Sequence, residues 1–165
     1  MIILYIGRFQ PFHKGHLELI KSIYTKFDKI IIGIGSSQYS HDLNNPFTLE
    51  ERKSMIKNTL KENKIKNFEI FEIPDINNYP KWVSHVESII PKFDIVLTNN
   101  SITASLFKKK GYKIYKSKLF NKKEFSGKEI RKKMLISDES WKNSIPKSVY
   151  DIIVEIDGVK RIKNI

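Results

Sequence analysis

The sequence contains no cysteine, and no apolar run approaches the roughly 20 residues that a membrane-spanning helix needs. The first absence excludes a disulfide scaffold, a zinc site with cysteine ligands and thiol catalysis. The apolar run at the N-terminus has neither the basic flank nor the cleavage pattern of a signal peptide, so we expect a cytoplasmic protein without a membrane partner. At 165 residues the chain can bury a core of its own, and we expect a single domain over residues 1–165.

Arginine is also scarce, because 26 of the 30 basic residues are lysine. The net charge of +12 suggests a polyanionic partner, such as nucleic acid, a membrane surface or a phosphorylated metabolite. Lysine is abundant together with isoleucine and asparagine, however, which also fits a codon-composition bias and a solvated lysine surface. Because most basic positions are lysine, each arginine is a candidate for a position that needs the planar guanidinium group and its paired hydrogen bonds. The four arginines are Arg8, Arg52, Arg131 and Arg161.

Apolar, β-branched segments alternate with segments of helical periodicity along most of the chain. The predicted strands are Ile2–Ile6, Lys29–Ile34, Phe68–Ile73, Asp94–Leu97 and Tyr112–Tyr115. Continuous apolar runs of this kind are typical of parallel strands covered on both faces. The pattern predicts an α/β fold with a Rossmann-like, open, parallel sheet that is doubly wound and followed by C-terminal helices. Such sheets bind ligands at the carboxyl ends of their strands.

Several helix boundaries can be predicted from local signals. The shared apolar face of the first helix consists of Leu17, Ile20, Tyr24 and Phe27. Capping boxes at Thr48–Glu51 and Ser126–Glu129 open a second helix, which ends near Asn63, and a short basic helix after the fifth strand. A final helix begins near Pro146, since proline suits the first turn.

The loop after the first predicted strand reads GRFQPFHKGH and carries two histidines. His13 and His16 lie where the first helix begins, and free backbone N–H groups and the helix dipole favour an anion at such a point. Imidazoles can donate hydrogen bonds to phosphate oxygens, and Gly15 allows close backbone approach. A lone H-x-x-H pair is commonly a surface pair and supplies no third metal ligand, so we predict a phosphate site and no protein metal site.

GRFQPFHKGH resembles the signature of the nucleotidyltransferase superfamily, whose H-x-G-H motif follows the first strand. The GRFQPFH form is similar to the archaeal-type nicotinamide-nucleotide adenylyltransferases. The similarity runs nearly end to end, through IIIGIGSSQYSH, NPFTLEER, WVSHVES, SGKEIRKKML and IPKSVYDIIVEIDGVKRI. It implies an enzyme that joins nicotinamide mononucleotide to ATP, giving NAD and pyrophosphate. It also implies Mg²⁺ held by the substrate phosphates and a homo-oligomer, commonly a hexamer.

The resemblance assigns the phosphates of ATP to the two histidines, with His16 nearest the reacting centre. Arg131 and Arg8 join them as catalytic candidates. The other candidates for binding ATP and its phosphates are Gly7, Phe9, Gly15, Ser126, Gly127 and Lys128. In-line attack by a phosphate needs no general base, so catalysis would rest on positioning and charge stabilisation. The alternative for the Ser126 segment is an ordinary capped helix.

A second group of residues is implied for the acceptor. Arg52 would hold the phosphate of the mononucleotide and Trp82 would stack on the nicotinamide ring, while Ser37 and Gln38 would line the nucleotide pocket. The alternative for Arg52 is a surface helix residue, and for Trp82 it is a core aromatic. Arg161 is assigned no role.

Three positions depart from the family pattern. Lys128 replaces the usual threonine and Tyr79 replaces an asparagine. Asn99 is the middle residue of Thr98-Asn99-Asn100, where the family usually has Ser-Gly-Asn. Two of these lie where the acceptor binds, so flavin mononucleotide, phosphopantetheine and nicotinate mononucleotide stay open as alternative acceptors. A different class, a basic nucleic-acid-binding module, is disfavoured because the runs Lys108–Lys110 and Lys122–Lys123 lie apart and are not interleaved with aromatic residues. We therefore expect no nucleic-acid partner.

Overall fold

The computed structural model describes residues 1–117 and 125–165, so the basic run Lys122–Lys123 lies outside the described residues. The strands are β1 (Ile2–Gly7), β2 (Lys29–Gly35), β3 (Phe68–Ile73), β4 (Ile95–Thr98) and β5 (Lys113–Ile114). The helices are α1 (Lys14–Ile23), α2 (Leu49–Glu62), α3 (Tyr79–Ile89), α4 (Ser101–Lys109), α5 (Gly127–Leu135), α6 (Lys147–Glu155) and α7 (Gly158–Lys163), with a 3₁₀ helix at Glu139–Ser144. Within these two ranges, no helix is both long and apolar enough to cross a membrane.

The five strands form one sheet in the order β3-β2-β1-β4-β5, and every neighbouring pair is parallel. The chain builds outward from β1 to β3 and then returns to place β4 on the other side of β1. The switch in direction therefore falls beside β1, which is where such sheets bind ligands. The predicted parallel α/β fold is confirmed, although β5 is two residues shorter than its predicted span.

The three central strands, β1, β2 and β4, are mostly buried on both faces, whereas the edge strands β3 and β5 are partly exposed. Leu4 is in register with Ile31 and Val96 on one face, where Val86 of α3 and Phe107 of α4 join the same apolar cluster. Residues on the opposite face are buried as well, namely Ile3, Ile30 and Ile95. The continuous apolar runs in the sequence thus reflect strands with no solvent-facing side.

The described residues form two compact units. The first comprises residues 1–8, residues 23–37 and the segment that begins at Asn67, and it contains the whole sheet with α3 and α4. The second comprises residues 9–22, residues 38–66 and the C-terminal segment, and it contains the loop of the two histidines. In the second unit α2 packs on α6, α5 packs on the 3₁₀ helix and on α7, and α6 packs on α7.

Two predicted helices end differently in the structure. α1 stops at Ile23, so the prediction that Tyr24 and Phe27 belong to it is wrong. The Asn67 side chain explains the end, because its amide donates to the carbonyl oxygens of Tyr24 (2.9 Å) and Phe27 (3.1 Å). The helix that follows Pro146 is not the final one, since Asp157 adopts a left-handed conformation (φ 56°) and α7 follows it.

The predicted capping signals are largely confirmed. Thr48 and Glu51 form the reciprocal box, in which each side chain accepts a hydrogen bond from the other's backbone N–H. Ser126 caps α5 by accepting from the Glu129 N–H at 3.0 Å, but the Glu129 side chain does not complete the predicted box there. The box at Thr48 matters for the site, because it fixes the first turn of the helix that carries Arg52.

Candidate active site

His13 and His16 hold each other in place through their own backbone. His13 Nδ1 accepts from the N–H groups of Gly15 (3.1 Å) and His16 (3.4 Å), and His16 Nδ1 accepts from the His13 N–H (3.1 Å). The two rings stack with centroids 3.6 Å apart. An Nδ1 that accepts a hydrogen bond carries no proton, so each neutral ring holds its proton at Nε2. Both imidazoles are thereby set as Nε2–H donors.

The same contacts correct one expectation from the sequence. The first turn of α1 was expected to offer free amides to an anion, but those of Gly15 and His16 are occupied by the ring of His13. His13 therefore acts as the cap of α1, in the place that a serine or aspartate usually takes. The phosphate donors predicted at this turn are therefore the imidazole N–H groups rather than these two amides.

Both histidines are held in the neutral form. The His13 side chain is buried, and this burial, together with the nearby positive charge of Arg131, lowers its pKa to about 3. Desolvation and then the neighbouring His13 hold the pKa of His16 well below its ordinary value of 6.5. At neutral pH the pair consists of uncharged donors and is not poised for proton transfer.

Two phenylalanines of the motif support these rings. Phe9 meets His16 edge-on at 4.8 Å between centroids, and Phe12 stacks on His16 at 5.3 Å. Both phenylalanine side chains are buried. Phe9 also has a left-handed backbone (φ 55°), which costs roughly 1–3 kcal/mol for a residue other than glycine. Phe9, expected to bind phosphate, therefore has its side chain committed to packing against His16.

Gly15 is bare because no side chain fits there. A Cβ at this position would lie 2.9 Å from His13 Cε1 and 3.0 Å from Cβ of Phe125. Phe125 directly precedes Ser126, so the contact brings the loop of the histidines against the start of the segment that caps α5. Two stretches that the sequence assigned separately to phosphate thus meet at Gly15.

Arg131 reaches back from α5 to the loop of the histidines. Its Nη1 donates to the backbone carbonyl oxygen of Gln10 at 2.8 Å. A Cβ on Gly127 would lie 2.8 Å from that same Nη1 and 3.4 Å from the Gln10 oxygen, so the glycine leaves room for the guanidinium. Ser126 and Lys128 flank Gly127 at the start of α5, with Lys128 exposed.

Arg52 is fully buried, so it is not a surface helix residue. Its Nε donates to the carbonyl oxygen of Thr48 at 3.3 Å and its Nη2 donates to that of Tyr39 at 3.5 Å. These two carbonyl oxygens hold the buried guanidinium at the start of α2.

Two residues without a predicted role organise this unit. Gln10 binds both backbone groups of Phe47, and Arg161 of α7 forms a two-pronged ion pair with Glu51 of the capping box. The scarcity of arginine singled out Arg161, yet nothing local in the sequence pointed to its partner. Gln10 lies inside the recognised motif, but nothing in that motif pointed to a partner at Phe47.

The first unit holds several of the remaining candidates. Gly7 ends β1 and Arg8 after it is exposed, while the N–H of Ser37 donates to the Ile73 carbonyl oxygen at 3.3 Å. Trp82 is half-buried and meets the ring of Phe107 edge-on at 5.7 Å, so it packs against the core and keeps part of its surface in solvent. In the second unit, Gln38 is exposed.

Helix capping explains the polar residues next to two departures from the family pattern. Asn78 caps α3 by accepting from the Lys81 N–H at 3.2 Å, directly before Tyr79. Asn100 caps α4 by accepting from the Thr103 N–H at 3.0 Å, directly after the exposed Asn99. Asparagine is among the best capping residues, so the start of each helix is fixed in spite of the departure beside it.

Comparison with known proteins identifies the family of this chain. The model of the cytidylyltransferase-like family matches residues 4–133. A nicotinamide-nucleotide adenylyltransferase of Thermoplasma acidophilum is 51% identical over 97% of this chain and 89% of that protein. One of Methanococcus vannielii is 52% identical over 97% of this chain and 92% of that protein. The chain belongs to the nicotinamide-nucleotide adenylyltransferase family.

A solved structure of low sequence identity shares the fold of this chain. It is a bifunctional NMN adenylyltransferase/ADP ribose pyrophosphatase from Francisella tularensis, complexed with AMP and a manganese ion. The match has a TM-score of 0.74 at 23% identity and covers 99% of this chain. The chain spans about half the length of that protein, 52%, so the likeness concerns the fold of the shared part.

Proposed function

We propose that this protein transfers the adenylyl group of ATP to nicotinamide mononucleotide and releases pyrophosphate. The observation that carries the proposal is the pair of neutral Nε2–H donors, His13 and His16, with the charge of Arg131 beside them. Donors fixed before the substrate arrives suit a reaction whose transition state gathers negative charge on phosphate oxygens. Membership of the family supports nicotinamide mononucleotide as the acceptor.

The bonds formed and broken follow from this assignment. An oxygen of the 5′-phosphate of the mononucleotide attacks the α-phosphorus of ATP. The bond from the α-phosphorus to the oxygen that bridges it to the β-phosphorus breaks, and pyrophosphate leaves with that electron pair. The attacking phosphate is already ionised at neutral pH, so no side chain has to remove a proton. The protein has to align the two phosphates and to stabilise the pentacoordinate α-phosphate of the transition state.

The residues of the second unit divide this work. His16 donates from Nε2 to the α-phosphate, and His13 and Arg131 hold the phosphates that leave. At the start of α5, Ser126, Gly127 and Lys128 also bind the β- and γ-phosphates. The other proposed ATP contacts are Gly7, Arg8, Phe9 and Gly15, of which Phe9 contributes through its main chain.

The acceptor is held by a separate group of residues. The buried guanidinium of Arg52 pairs with the phosphate of the mononucleotide. The exposed part of Trp82 stacks on the pyridinium ring, because a cationic ring favours an aromatic face. Ser37 and Gln38 line the remainder of the nucleotide pocket.

We propose that Mg²⁺ enters as part of the ATP substrate. Among residues 1–117 and 125–165 no group of three or more histidine, cysteine or acidic side chains is placed to hold a metal ion. Mg²⁺ keeps several waters and binds readily through substrate phosphates, so this donor set fits a substrate-borne ion. When bound, the ion would neutralise charge on the phosphate oxygens.

The proposal is tested by incubating the purified protein with Mg²⁺, ATP and one acceptor at a time. The acceptors are nicotinamide mononucleotide, nicotinate mononucleotide, flavin mononucleotide and phosphopantetheine. We expect equal amounts of NAD and pyrophosphate from nicotinamide mononucleotide and a much lower rate with the others. Turnover of a different acceptor alone would contradict the assignment of nicotinamide mononucleotide as the acceptor. Release of pyrophosphate with none of the four acceptors would contradict the adenylyltransferase activity itself. Binding of DNA or RNA with a steep salt dependence and no ATP turnover would favour a nucleic-acid module instead.

We also propose that the protein is a homo-oligomer, a hexamer by its family membership. Light scattering coupled to size exclusion measures the mass directly against the chain mass of 19.4 kDa. A monomer at assay concentration would contradict the proposal.

A further inference from the structure

Gln10 is a buried amide inside the recognised motif, and its side chain is 3% exposed. Its Nε2 donates to the Phe47 carbonyl oxygen at 3.0 Å, and its Oε1 accepts from the Phe47 N–H at 2.9 Å. The side chain thus satisfies both backbone groups of one residue, as a neighbouring β-strand would. This pairing fixes the position and the orientation of the Phe47 peptide groups.

Phe47 lies two residues before Leu49, the first residue of α2. The next residue, Thr48, caps the helix and also accepts from Nε of Arg52 at 3.3 Å through its carbonyl oxygen. Only one residue therefore separates the amide of Gln10 from a carbonyl that holds the buried guanidinium. A displacement of the Phe47 peptide would be passed to Arg52 through this short path.

The main chain of Gln10 has a second function. Its carbonyl oxygen accepts from Nη1 of Arg131 at 2.8 Å, on the side where Gly127 leaves room for the guanidinium. Both groups of this one residue are therefore engaged: the side chain supports the helix of Arg52 and the carbonyl oxygen supports Arg131. All the residues in these contacts belong to the second compact unit.

We propose that Gln10 is a positioning residue, which fixes the position of Arg52, the arginine of the acceptor site, relative to Arg131, the arginine of the ATP site. This inference rests on the proposed function, in which Arg52 binds the phosphate of the mononucleotide and Arg131 binds the phosphates of ATP. It predicts that side-chain and main-chain disturbances at Gln10 affect different substrates. Loss of the amide weakens the acceptor site, whereas displacement of the guanidinium from the carbonyl oxygen weakens the ATP site.

The test of the side chain is Gln10→Met, which keeps its length and loses both hydrogen bonds. We expect the KM for nicotinamide mononucleotide to rise about tenfold, since two buried hydrogen bonds to Phe47 are lost. The KM for ATP should change less than about twofold, because the carbonyl oxygen of Gln10 still accepts from Arg131. Gln10→Glu is measured beside it, since its carboxylate accepts from the Phe47 N–H but sets a second acceptor against the Phe47 carbonyl oxygen, and it should raise the same KM.

The test of the main chain is Gly127→Ala, whose new Cβ would meet Nη1 of Arg131. We expect this variant to raise the KM for ATP and to leave that of the acceptor within about twofold. The matched control is Asn63→Ala, which removes an amide-to-carbonyl hydrogen bond of 2.8 Å to Thr59 at the far end of α2. The control should lower the melting temperature and leave both KM values unchanged.

The outcomes separate this inference from the proposed function. If the wild type forms no NAD, the proposed function fails before any variant is compared. If the wild type is active and a folded Gln10→Met or Gln10→Glu variant keeps the wild-type acceptor KM, the role of Gln10 is overturned. If the Gln10 variants raise both KM values equally and lose as much stability as Asn63→Ala does, Gln10 has a structural role only. Should Gln10→Met fail to fold, the acceptor KM of Gln10→Glu decides.

Discussion

Arg161 and Glu51, 110 residues apart in the sequence, form a two-pronged ion pair, with Nη1–Oε1 at 2.6 Å and Nη2–Oε2 at 2.9 Å. Arg161 Nη1 also donates to the Pro46 carbonyl oxygen at 3.0 Å, so α7 holds the chain on both sides of the Thr48 cap. Burial acts to raise the pKa of Glu51, but hydrogen bonds from Arg161 and the Thr48 backbone outweigh it and hold that pKa below its ordinary value. The pair ties the last helix to the first turn of α2.

Replacement of Arg161 by glutamine should therefore lower the free energy of unfolding by about 2–3 kcal/mol at pH 7, because Glu51 is left largely buried without its partner. Urea denaturation measures the loss, and the control is Lys147→Gln, which breaks the exposed pair with Asp151 and should cost less than about 1 kcal/mol. A lowered carboxyl pKa stabilises the fold above the unfolded value, so the difference between wild type and Arg161→Gln should shrink as the pH falls below about 4.5. Equal losses for the two variants would contradict the role of the pair.

His16→Ala should reduce kcat about 100-fold or more and leave the KM for ATP within a few-fold of the wild type. The reason is that a preorganised donor to the α-phosphate acts mainly in the transition state. Steady-state kinetics with varied ATP at saturating acceptor supply both constants. A variant with an unchanged kcat and a raised KM would show instead that His16 binds the ground state.

Stability should depend on pH through His13. Its pKa is about 3 in the folded protein and near 6.5 in an unfolded chain, so between these values only the unfolded chain binds the proton. The free energy of unfolding should thus fall as the pH is lowered below 6.5, by about 1.4 kcal/mol per pH unit from this group. His13→Gln should remove that slope between pH 4.5 and 6.5 in denaturation curves. Parallel slopes for variant and wild type would argue against a buried, neutral His13.

Gly15→Ala tests the geometry of the histidine pair without removing a functional group. The new Cβ would lie 2.9 Å from His13 Cε1, so the ring must move and its contacts to the amides of α1 must weaken. We expect kcat/KM for ATP to drop at least about tenfold while the protein remains folded, because alanine itself favours the helix. Thermal unfolding and kinetics on the same preparation check both halves. Wild-type kinetics would show that the ring tolerates the methyl group.

Trp82→Ala should raise the KM for nicotinamide mononucleotide and spare that for ATP. The half-buried ring also packs against Phe107, so some loss of stability accompanies the kinetic change. Leu106→Ala is the control, since Leu106 is packed against the same cluster and should lower stability without a selective effect on the acceptor. If the two variants change both KM values alike, Trp82 is a core residue only.

The fold was predictable because its signals are local. Apolar segments predicted all five strands to within one residue at each end, and the Thr48 and Ser126 caps predicted the starts of two helices. The motif after β1 drew attention to His13 and His16, whose rings stack in the structure, and their role in binding phosphate stays a prediction. These features depend on neighbours a few residues apart, which a sequence displays directly.

The features that escaped prediction are contacts between distant segments. Gln10 and Phe47 are 37 residues apart, and nothing in the pattern around either residue shows the other. Arg52 has the helical spacing of an ordinary charged residue, yet it is fully buried, and its guanidinium donates to the carbonyl oxygens of Thr48 and Tyr39. Side-chain polarity predicts exposure only when the partners of the polar group are known.

The capping of α1 by an imidazole has a consequence for motion. Since the amides of Gly15 and His16 are bound by the ring of His13, fraying of this first turn and departure of the ring from its place are one event. Hydrogen exchange at these two amides in the free protein measures how often the site comes apart. A nucleotide that binds the imidazoles should slow the exchange of both amides by the same factor. That factor is the one by which binding of the nucleotide raises the population of the ordered form over the frayed form.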